Sequence, residues 1–140
     1  MKVCLISEYF YPDNAGGTGT VLSGLIRQLK DTYQDLEFEV ITSRNVYRGE
    51  QEQLVAHEDW QGVSIHRVKS PKAHASSIKK RLSTNLRFTW AILSKMMLRG
   101  KYDLVLVSSA PPCLPMAAKA YKRLTGTPYI YVVYDLYPDI

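Results

Sequence analysis

The sequence predicts an α/β domain of three layers, in which helices cover both faces of a mostly parallel sheet. Apolar runs of strand length alternate with segments whose apolar residues recur at helical spacing, in the order β-α-β-β-α-β-α-β. The chain has 140 residues, of which 46% are hydrophobic and 22% are charged. This length and composition suit one globular domain, which we assign to residues 1–140.

The first half of the chain opens with a buried strand, followed by a loop rich in Gly, Pro, Asn and Asp. Apolar residues then recur at helical spacing from Val21 to Leu29, which predicts a helix with one buried face. A second strand follows, and the segment after it is polar and has no clear period. The predicted ranges are a strand at 2–7, a loop at 8–19, a helix from 20, a strand at 36–42 and an irregular segment at 43–61.

The second half of the chain contains three more strands and two helices. Polar residues alternate with Val63 and Ile65, which predicts a strand with one exposed face, including His66, at an edge of the sheet. The predicted ranges are a strand at 63–68, a helix at 76–99, a strand at 102–108, a helix at 114–124 and a strand at 129–134. The stripe of the long helix that we expect to be buried comprises Ile78, Leu82, Leu86, Leu93 and Met97, whereas Phe88, Trp90 and Ile92 fall partly off it.

Three loops follow the carboxyl ends of the strands, where parallel sheets bind their ligands: 8–19, 108–112 and 135–139. In the first loop, Gly17, Thr18 and Gly19 precede a helix, and the backbone N–H groups of a helix start favour an anionic or polar ligand. The loop lacks the third glycine of a dinucleotide fingerprint and the Lys-Ser/Thr pair of a P-loop. Ser108 and Ser109 could hydrogen-bond either a polar ligand or their own loop.

Three segments together resemble a known family. They read Ser-Glu-Tyr-Phe-Tyr-Pro-Asp-Asn-Ala-Gly-Gly-Thr-Gly at 7–19, Glu-Asp-Trp-Gln-Gly-Val-Ser-Ile-His-Arg-Val at 58–68 and Asp-Leu-Tyr-Pro-Asp-Ile at 135–140. Over its whole length the chain resembles the N-terminal domain of family 4 retaining glycosyltransferases, and most closely the bacterial enzymes that build surface polysaccharides.

The resemblance implies a Rossmann-like domain that forms the N-terminal, acceptor-binding half of a GT-B fold, truncated before the donor-binding domain. It implies a whole enzyme that transfers a sugar from a nucleotide-sugar to a glycan or lipid-linked acceptor with retention. No cofactor is expected, and we expect this half to be inactive alone. The resemblance also implies that Gly16 and Gly17 lie near the donor phosphates or the acceptor. Tyr137 either walls the acceptor pocket or packs its own loop.

Asp135 is the candidate catalytic residue. Many family members have a histidine next to this aspartate, but here that position is Tyr134, and a tyrosine cannot replace a neutral imidazole near pH 7. Asp135 is therefore expected to contact the reacting sugar, and the alternative is that it caps the turn that follows. Two other functions remain open: one subunit of a split transferase, or a free-standing sugar- or phosphate-binding or interaction domain.

The charge distribution predicts an anionic partner surface. The formal net charge is +5, and no acidic residue occurs between Asp59 and Asp103, where ten basic residues fall. The basic side chains of the long helix are Lys79, Lys80, Arg81, Arg87, Lys95 and Arg99. Together with Trp90 and Phe88 they suit an anionic membrane surface, although a solvated helix face would have the same composition. Nucleic acid is not expected, because no nucleic-acid-binding module accompanies these residues.

The chain is expected to be cytoplasmic, with an association at the inner face of the plasma membrane as a further expectation. The first residues enter a strand directly, with no signal-peptide pattern, and no apolar run reaches the roughly 20 residues that cross a bilayer. Cys4 and Cys113 are expected to be buried thiols in a reducing compartment. The three histidines are scattered, so we expect no metal site.

Overall fold

The computed structural model describes residues 1–13, 17–46, 53–70 and 77–134. These residues form an α/β domain with three helices and a sheet of six strands. The strands are β1 (Lys2–Ile6), β2 (Glu37–Ser43), β3 (His57–Trp60), β4 (Val63–Val68), β5 (Leu104–Ser108) and β6 (Tyr129–Val132). The helices are α1 (Gly17–Thr32), α2 (Ile78–Arg99) and α3 (Leu114–Thr125).

The sheet has the strand order β3-β4-β2-β1-β5-β6. All neighbouring strands are parallel except β3 and β4, which form an antiparallel pair. The register places Leu5 of β1 between Val40 of β2 and Leu106 of β5. The predicted α/β class with a mostly parallel sheet is confirmed.

Two apolar clusters lie on opposite faces of the sheet, because successive strand residues point to opposite sides. Leu22 and Ile26 of α1 pack with Val3, Leu5 and Val40 on one face. On the other face, α2 and α3 pack against the alternate strand residues, and the members of this cluster include Cys4, Ile6, Phe88, Ile92, Leu114 and Tyr121. Helices therefore cover both faces, as predicted for three layers.

The prediction of an irregular segment at 43–61 was wrong for its last part. Residues His57–Trp60 form β3, which pairs with β4 through a tight turn in which Gln61 and Gly62 have φ angles of 52° and 75°. Two consecutive positive φ angles are typical of the hairpin turns that match the strand twist. β3 is the outer strand of the sheet, so the prediction that β4 lies at the sheet edge was also wrong. His66, predicted to be exposed, is buried and only 5% exposed.

The prediction of which α2 residues are buried was wrong as well. Phe88, Thr89, Ile92 and Met96 are the buried residues of this helix. The predicted core stripe lies outside: Ile78 is 84% exposed, Leu82 52%, Leu86 43% and Met97 47%, and only Leu93 packs partly against the core. One cause is the orientation of the helix, since Met96 is buried and the neighbouring Met97 of the predicted stripe is not. The other cause, for the first half, is helix length. A helix of 22 residues is about 33 Å long, whereas the longest strand, with 7 residues, spans about 23 Å.

The two cysteines occupy different environments. Cys4 is completely buried in β1, and burial raises the pKa of its thiol. Cys113 is the N-cap residue of α3 and is half-buried. The expectation of two buried thiols is therefore confirmed only for Cys4.

Candidate functional site

The topological switch point of the sheet lies between β1 and β5. From β1 the chain proceeds outward through β2 to β4, and it then returns to β5 and β6 on the other side of β1. In parallel α/β sheets, ligands bind outside the carboxyl ends of the strands at this point. The residues at these carboxyl ends are Ser7 and Glu8, which follow β1, and Ser108 and Ser109, the last residue of β5 and the one after it. Two of the three predicted site loops, those after β1 and β5, are thus brought to the same place.

The segment after β1 is held by the end of β2. The Thr42 hydroxyl donates a hydrogen bond of 3.0 Å to the Glu8 carbonyl oxygen, and the Ser43 N–H donates another of 3.2 Å to the same oxygen. The Ser7 hydroxyl donates to the Tyr9 carbonyl oxygen at 2.8 Å. The backbone of this loop start is therefore fixed by neighbours within the sheet and the loop.

A buried arginine fixes the next part of the same loop. The Arg67 side chain, at the end of β4, is completely inaccessible to solvent. Its guanidinium donates hydrogen bonds to the carbonyl oxygens of Tyr11 at 2.7 Å and Val55 at 3.2 Å, and it pairs with the Glu58 carboxylate at 2.8 Å. Arg67 was one of the basic residues counted toward an anionic partner surface, and the structure removes it from that surface. It connects the β3–β4 hairpin to the loop before α1.

Aromatic side chains reinforce this connection. The ring of Trp60 stacks on Tyr11 with a centroid separation of 4.8 Å and meets Phe10 edge to face at 5.7 Å. Trp60 belongs to the hairpin, and Tyr11 and Phe10 belong to the loop. The motif residues at 7–13 and 58–68, which are far apart in the sequence, therefore form one packed unit.

The start of α1 differs from the prediction in its boundary. Gly17, Thr18 and Gly19 belong to the first turn of the helix, whereas the sequence predicted a loop that reaches residue 19. This first turn contains no acidic residue, so none of its own side chains offsets the positive end of the helix dipole. The prediction that these residues contact a substrate remains a prediction.

The two glycines of this turn have different surroundings. A Cβ atom on Gly19 would overlap the Asp13 carbonyl oxygen, because the loop backbone approaches the helix closely there. The Ser23 hydroxyl donates to the Gly19 carbonyl at 2.7 Å and accepts from the Tyr11 N–H at 3.2 Å. Among the described residues, in contrast, no atom lies within 4 Å of a Cβ position on Gly17. Gly19 is thus needed for packing, and Gly17 faces open space.

The hydroxyl groups of Ser108 and Ser109 both make contacts within the fold. Both residues are buried. The Ser108 hydroxyl donates to the Ala110 carbonyl at 2.9 Å, and the Ser109 hydroxyl accepts from the Tyr134 N–H at 3.1 Å. Of the two alternatives left open by the sequence, the structure shows the contact within the loop for Ser108. For Ser109 it shows a contact that positions the end of β6, and a substrate contact of either serine remains a prediction.

Three predicted site residues, Gly16, Asp135 and Tyr137, lie outside the described residues. Tyr134 is the last described residue before Asp135, and burial raises the pKa of its phenol. Its hydrogen bond to Ser109 brings the end of β6 to the loop after β5. The last described residue of the chain, Tyr134, therefore lies beside the loop that follows β5.

Glu8 is a candidate site residue that the sequence analysis did not single out. It directly follows Ser7 at the switch point, and burial raises the pKa of its carboxyl group, opposed by a hydrogen bond involving Tyr9. A carboxyl group of this kind can accept or donate a hydrogen bond to a substrate hydroxyl. The sequence did contain a signal for Glu8, because it directly follows the predicted strand at 2–7. A charged residue in that position lies at the carboxyl edge of the sheet, where ligands bind.

A second charged cluster lies at the opposite, amino end of the strands. Glu39 is 3% exposed and pairs with Lys2 Nζ at 3.0 Å and Arg99 Nε at 2.7 Å, and His66 Nε2 lies 3.3 Å from its carboxylate. Burial alone would raise the pKa of the Glu39 carboxyl, but the hydrogen bonds from Arg99 and Lys2 outweigh burial and lower it. This cluster fastens the end of α2 to β1, β2 and β4. Within the described residues, no group of three or more His, Cys, Asp or Glu side chains is placed to hold a metal ion.

Comparison with known proteins identifies the family. The model of the glycosyl transferase 4-like domain matches residues 16–140. The chain belongs to this glycosyltransferase family. Both the α1 start and the loop after β5 lie within the match.

A comparison with solved structures supports the α/β fold of this glycosyltransferase 4-like domain. It carries no information about its activity. The C-terminal domain of a hydrogenase from Pyrococcus furiosus superposes with a TM-score of 0.50 at 12% sequence identity, covering 93% of this chain and 89% of that chain. No curated protein matches the chain. The family assignment therefore depends on the family model and agrees with the observed sheet topology.

Proposed function

We propose that this chain is the acceptor-binding, N-terminal domain of a glycosyltransferase that moves a sugar from a nucleotide-sugar to a glycan or lipid-linked acceptor with retention of configuration. The family match over residues 16–140 is the observation that carries the proposal. The geometry at the switch point supports it, because a carboxyl group, a helix start without acidic residues and a packed aromatic loop all lie at one edge of the sheet.

The proposed role of this domain is to hold the acceptor and orient its hydroxyl group. Holding a nucleophile next to an electrophile removes much of the entropic barrier of a bimolecular reaction. The α1 N-terminus would attract an anionic group of the acceptor, such as a phosphate. Glu8 would hydrogen-bond an acceptor hydroxyl, and Asp135 would contact the reacting sugar. Stabilisation of the departing diphosphate would come from the donor domain, so transfer by this chain alone is not expected.

An NMR titration of the 140-residue chain tests this proposal. The acceptor probe is a monosaccharide joined through pyrophosphate to a short prenyl chain, and the donor probe is a panel of nucleotide-sugars. We expect the acceptor probe to shift the amide signals of Glu8, Gly17 and Ser109, and the nucleotide-sugars to leave them unchanged. Turnover of a nucleotide-sugar by the chain alone, or acceptor-induced shifts only at other residues, would contradict the proposal.

Two glycines of α1 provide a matched pair of variants for the same titration. Gly17 and Gly24 are both helical, and neither has an atom within 4 Å of a Cβ position. Gly17→Glu places a negative charge at the helix start and is expected to weaken binding of the anionic acceptor probe about ten-fold, or about 1.4 kcal/mol. Gly24→Glu adds the same charge about two turns further along and is expected to leave binding unchanged. Equal effects of both variants would argue against a site at the α1 start.

A further inference from the structure

The first half of α2 has no buried residue. The helix begins at Ile78, and its first buried residue is Phe88. Because the helix is about 10 Å longer than the longest strand, this half extends beyond the layer that covers the sheet. Thr84 and Asn85 of this half are partly covered and its other residues are exposed. Large apolar side chains exposed side by side are unusual on a water-soluble surface.

The exposed half carries an apolar face. Leu82, Leu86 and Trp90 are spaced four residues apart, so they lie along one side of the helix. Trp90 is 71% exposed. These side chains line a shallow groove together with Lys79, Ser83 and Arg87. The side of the helix that faces solvent is therefore apolar at its centre and basic at its borders.

The charged side chains that α2 itself contributes to this face are all basic. Lys79, Lys80, Arg81 and Arg87 all lie in the exposed half, and α2 contains no acidic residue. Arg99, which the sequence analysis included, belongs instead to the Glu39 cluster at the other end of the helix. An apolar face bordered by basic side chains is complementary to an anionic lipid surface, where the apolar groups enter the acyl boundary and the cations meet the headgroups.

The orientation of α2 brings this face to the ligand-binding edge. Arg99, the last residue of α2, contacts Glu39 near the amino end of β2. The helix runs antiparallel to the strands, so its first residues lie at their carboxyl ends. The apolar-basic face and the switch point therefore share one end of the molecule.

We propose that the face formed by Lys79, Leu82, Leu86, Arg87 and Trp90 docks on an anionic membrane surface, with Trp90 in the interfacial layer. A second copy of the chain fits this face poorly, because two α2 segments that each carry only positive charge repel one another. The inference goes beyond the proposed transfer activity and does not depend on it. The membrane could be bound whether or not the acceptor is a lipid.

Binding of the 140-residue chain to vesicles tests the inference. One vesicle type contains equal parts phosphatidylglycerol and phosphatidylcholine, and the other contains phosphatidylcholine alone. We expect co-sedimentation only with the anionic vesicles, with a loss of binding as salt shortens the Debye length from about 30 Å to about 3 Å. No binding to either vesicle type at low salt, or equal binding to both, would overturn the proposal.

A matched pair of double variants locates the binding surface. Lys79→Gln with Arg87→Gln removes one lysine and one arginine from α2, and Arg27→Gln with Lys30→Gln removes the same types from α1 on the opposite face of the sheet. Each cation near an anionic surface contributes about five-fold in binding, so the α2 pair should lower the partition coefficient about 25-fold. The α1 pair should leave it unchanged. Equal losses would show that only the net charge matters and would overturn the assignment to α2.

Tryptophan fluorescence provides an independent readout, since the chain contains two tryptophans. Trp60 is stacked on Tyr11, whereas Trp90 is exposed on the proposed face. Anionic vesicles should shift the emission to shorter wavelength in the native chain and not in Trp90→Phe. A blue shift that persists in Trp90→Phe would overturn the proposal. A dimer that forms without lipid as the protein concentration rises, and that Trp90→Ala abolishes, would also overturn the proposal. The face would then bind a second copy of the chain.

Discussion

Individual residues of the same type have distinct structural roles, although the sequence around them is similar. Gly17, Gly19 and Gly24 all lie in one helix, but within the described part of the chain only Gly19 lies close enough to another segment for a Cβ atom to overlap it. Arg67 is one of ten basic residues in a region without acids, but its side chain is completely buried. The surrounding fold decides that the loop backbone approaches Gly19 closely and that Arg67 is buried. Neither fact could be inferred from the composition of the sequence.

The first prediction contrasts two glycine substitutions in α1. Gly19→Ala should destabilise the protein by about 2 kcal/mol, because the new Cβ would overlap the Asp13 carbonyl oxygen and the loop must shift. Gly24→Ala should stabilise it by about 0.5–1 kcal/mol, because alanine is the better helix former and the site is open. Urea unfolding gives both free energies. A Gly19→Ala variant as stable as the native chain would show that the loop is not held against the helix.

The second prediction concerns Arg67. Arg67→Met should lower the free energy of unfolding by about 3 kcal/mol, because the Tyr11 and Val55 carbonyls lose their buried donor and Glu58 loses its partner. Urea unfolding measures the loss. Glu58→Gln is the comparison: its amide oxygen can still accept from Arg67, but the buried guanidinium loses its counter-charge, so a smaller loss of about 2 kcal/mol is expected. A cost below 1 kcal/mol for Arg67→Met would contradict a role in fixing the loop.

At the scale of the elements, the sequence patterns predicted the strands and the range of α2 well, but they predicted the buried face of α2 wrongly. Continuous apolar runs such as those of β1 and β5 indicate strands buried on both faces, and both were found. The apolar stripe of α2 has correct helical spacing, but periodicity does not distinguish a face that meets the core from one that meets another surface. The short β3 was missed because its four residues, His-Glu-Asp-Trp, are mostly polar.

The third prediction is a gradient of amide hydrogen exchange along α2. The first half lacks buried side chains, so its helical hydrogen bonds depend on local helix stability, which is marginal for a short segment in water. Amides before Phe88 should exchange at least about ten-fold faster than those after Ile92. The measurement is exchange followed by NMR in the absence of lipid. Uniform protection along the helix would show that the first half has partners in solution.

At the scale of the whole molecule, the two ends of the sheet have different chemistry. The carboxyl end carries the loops predicted to bind the substrate, and the hydroxyl, carboxyl and glycine residues found there agree with the general rule for parallel sheets. The β-α alternation predicted that most strands are parallel, so that their carboxyl ends lie together, whereas the strand order that sets the switch point became known only from the structure. The cluster of Glu39, Lys2, Arg99 and His66 at the amino end was not predicted, because its members come from four elements that lie far apart in the sequence.

The fourth prediction concerns the pH dependence of stability. Burial, followed by the Arg99 charge, lowers the pKa of His66 from 6.5 to about 4. Between these values the unfolded chain binds a proton that the folded chain does not, so stability should fall as pH decreases through this window. The lowered pKa of Glu39 adds a loss below pH 4.5. The measurement is the urea midpoint as a function of pH.

The control for this pH dependence is His66→Gln, which should flatten the curve between pH 6.5 and 4.5. Glu8 acts in the opposite direction, since burial raises the pKa of its carboxyl and the folded chain holds that proton more tightly. Glu8 is present in both the native chain and His66→Gln. The difference between their pH curves therefore gives the contribution of the His66 imidazole. An unchanged slope in the variant would contradict the assignment to His66.

The contrast between the two cysteines makes the native sequence suitable for site-specific conjugation. Cys4 is completely buried and its thiol pKa is raised, so a maleimide reagent cannot reach a reactive thiolate there. Cys113, at the start of α3, is partly accessible and follows the loop of Ser108 and Ser109. A fluorophore attached to Cys113 would therefore report from beside the switch point without any cysteine having to be added or removed.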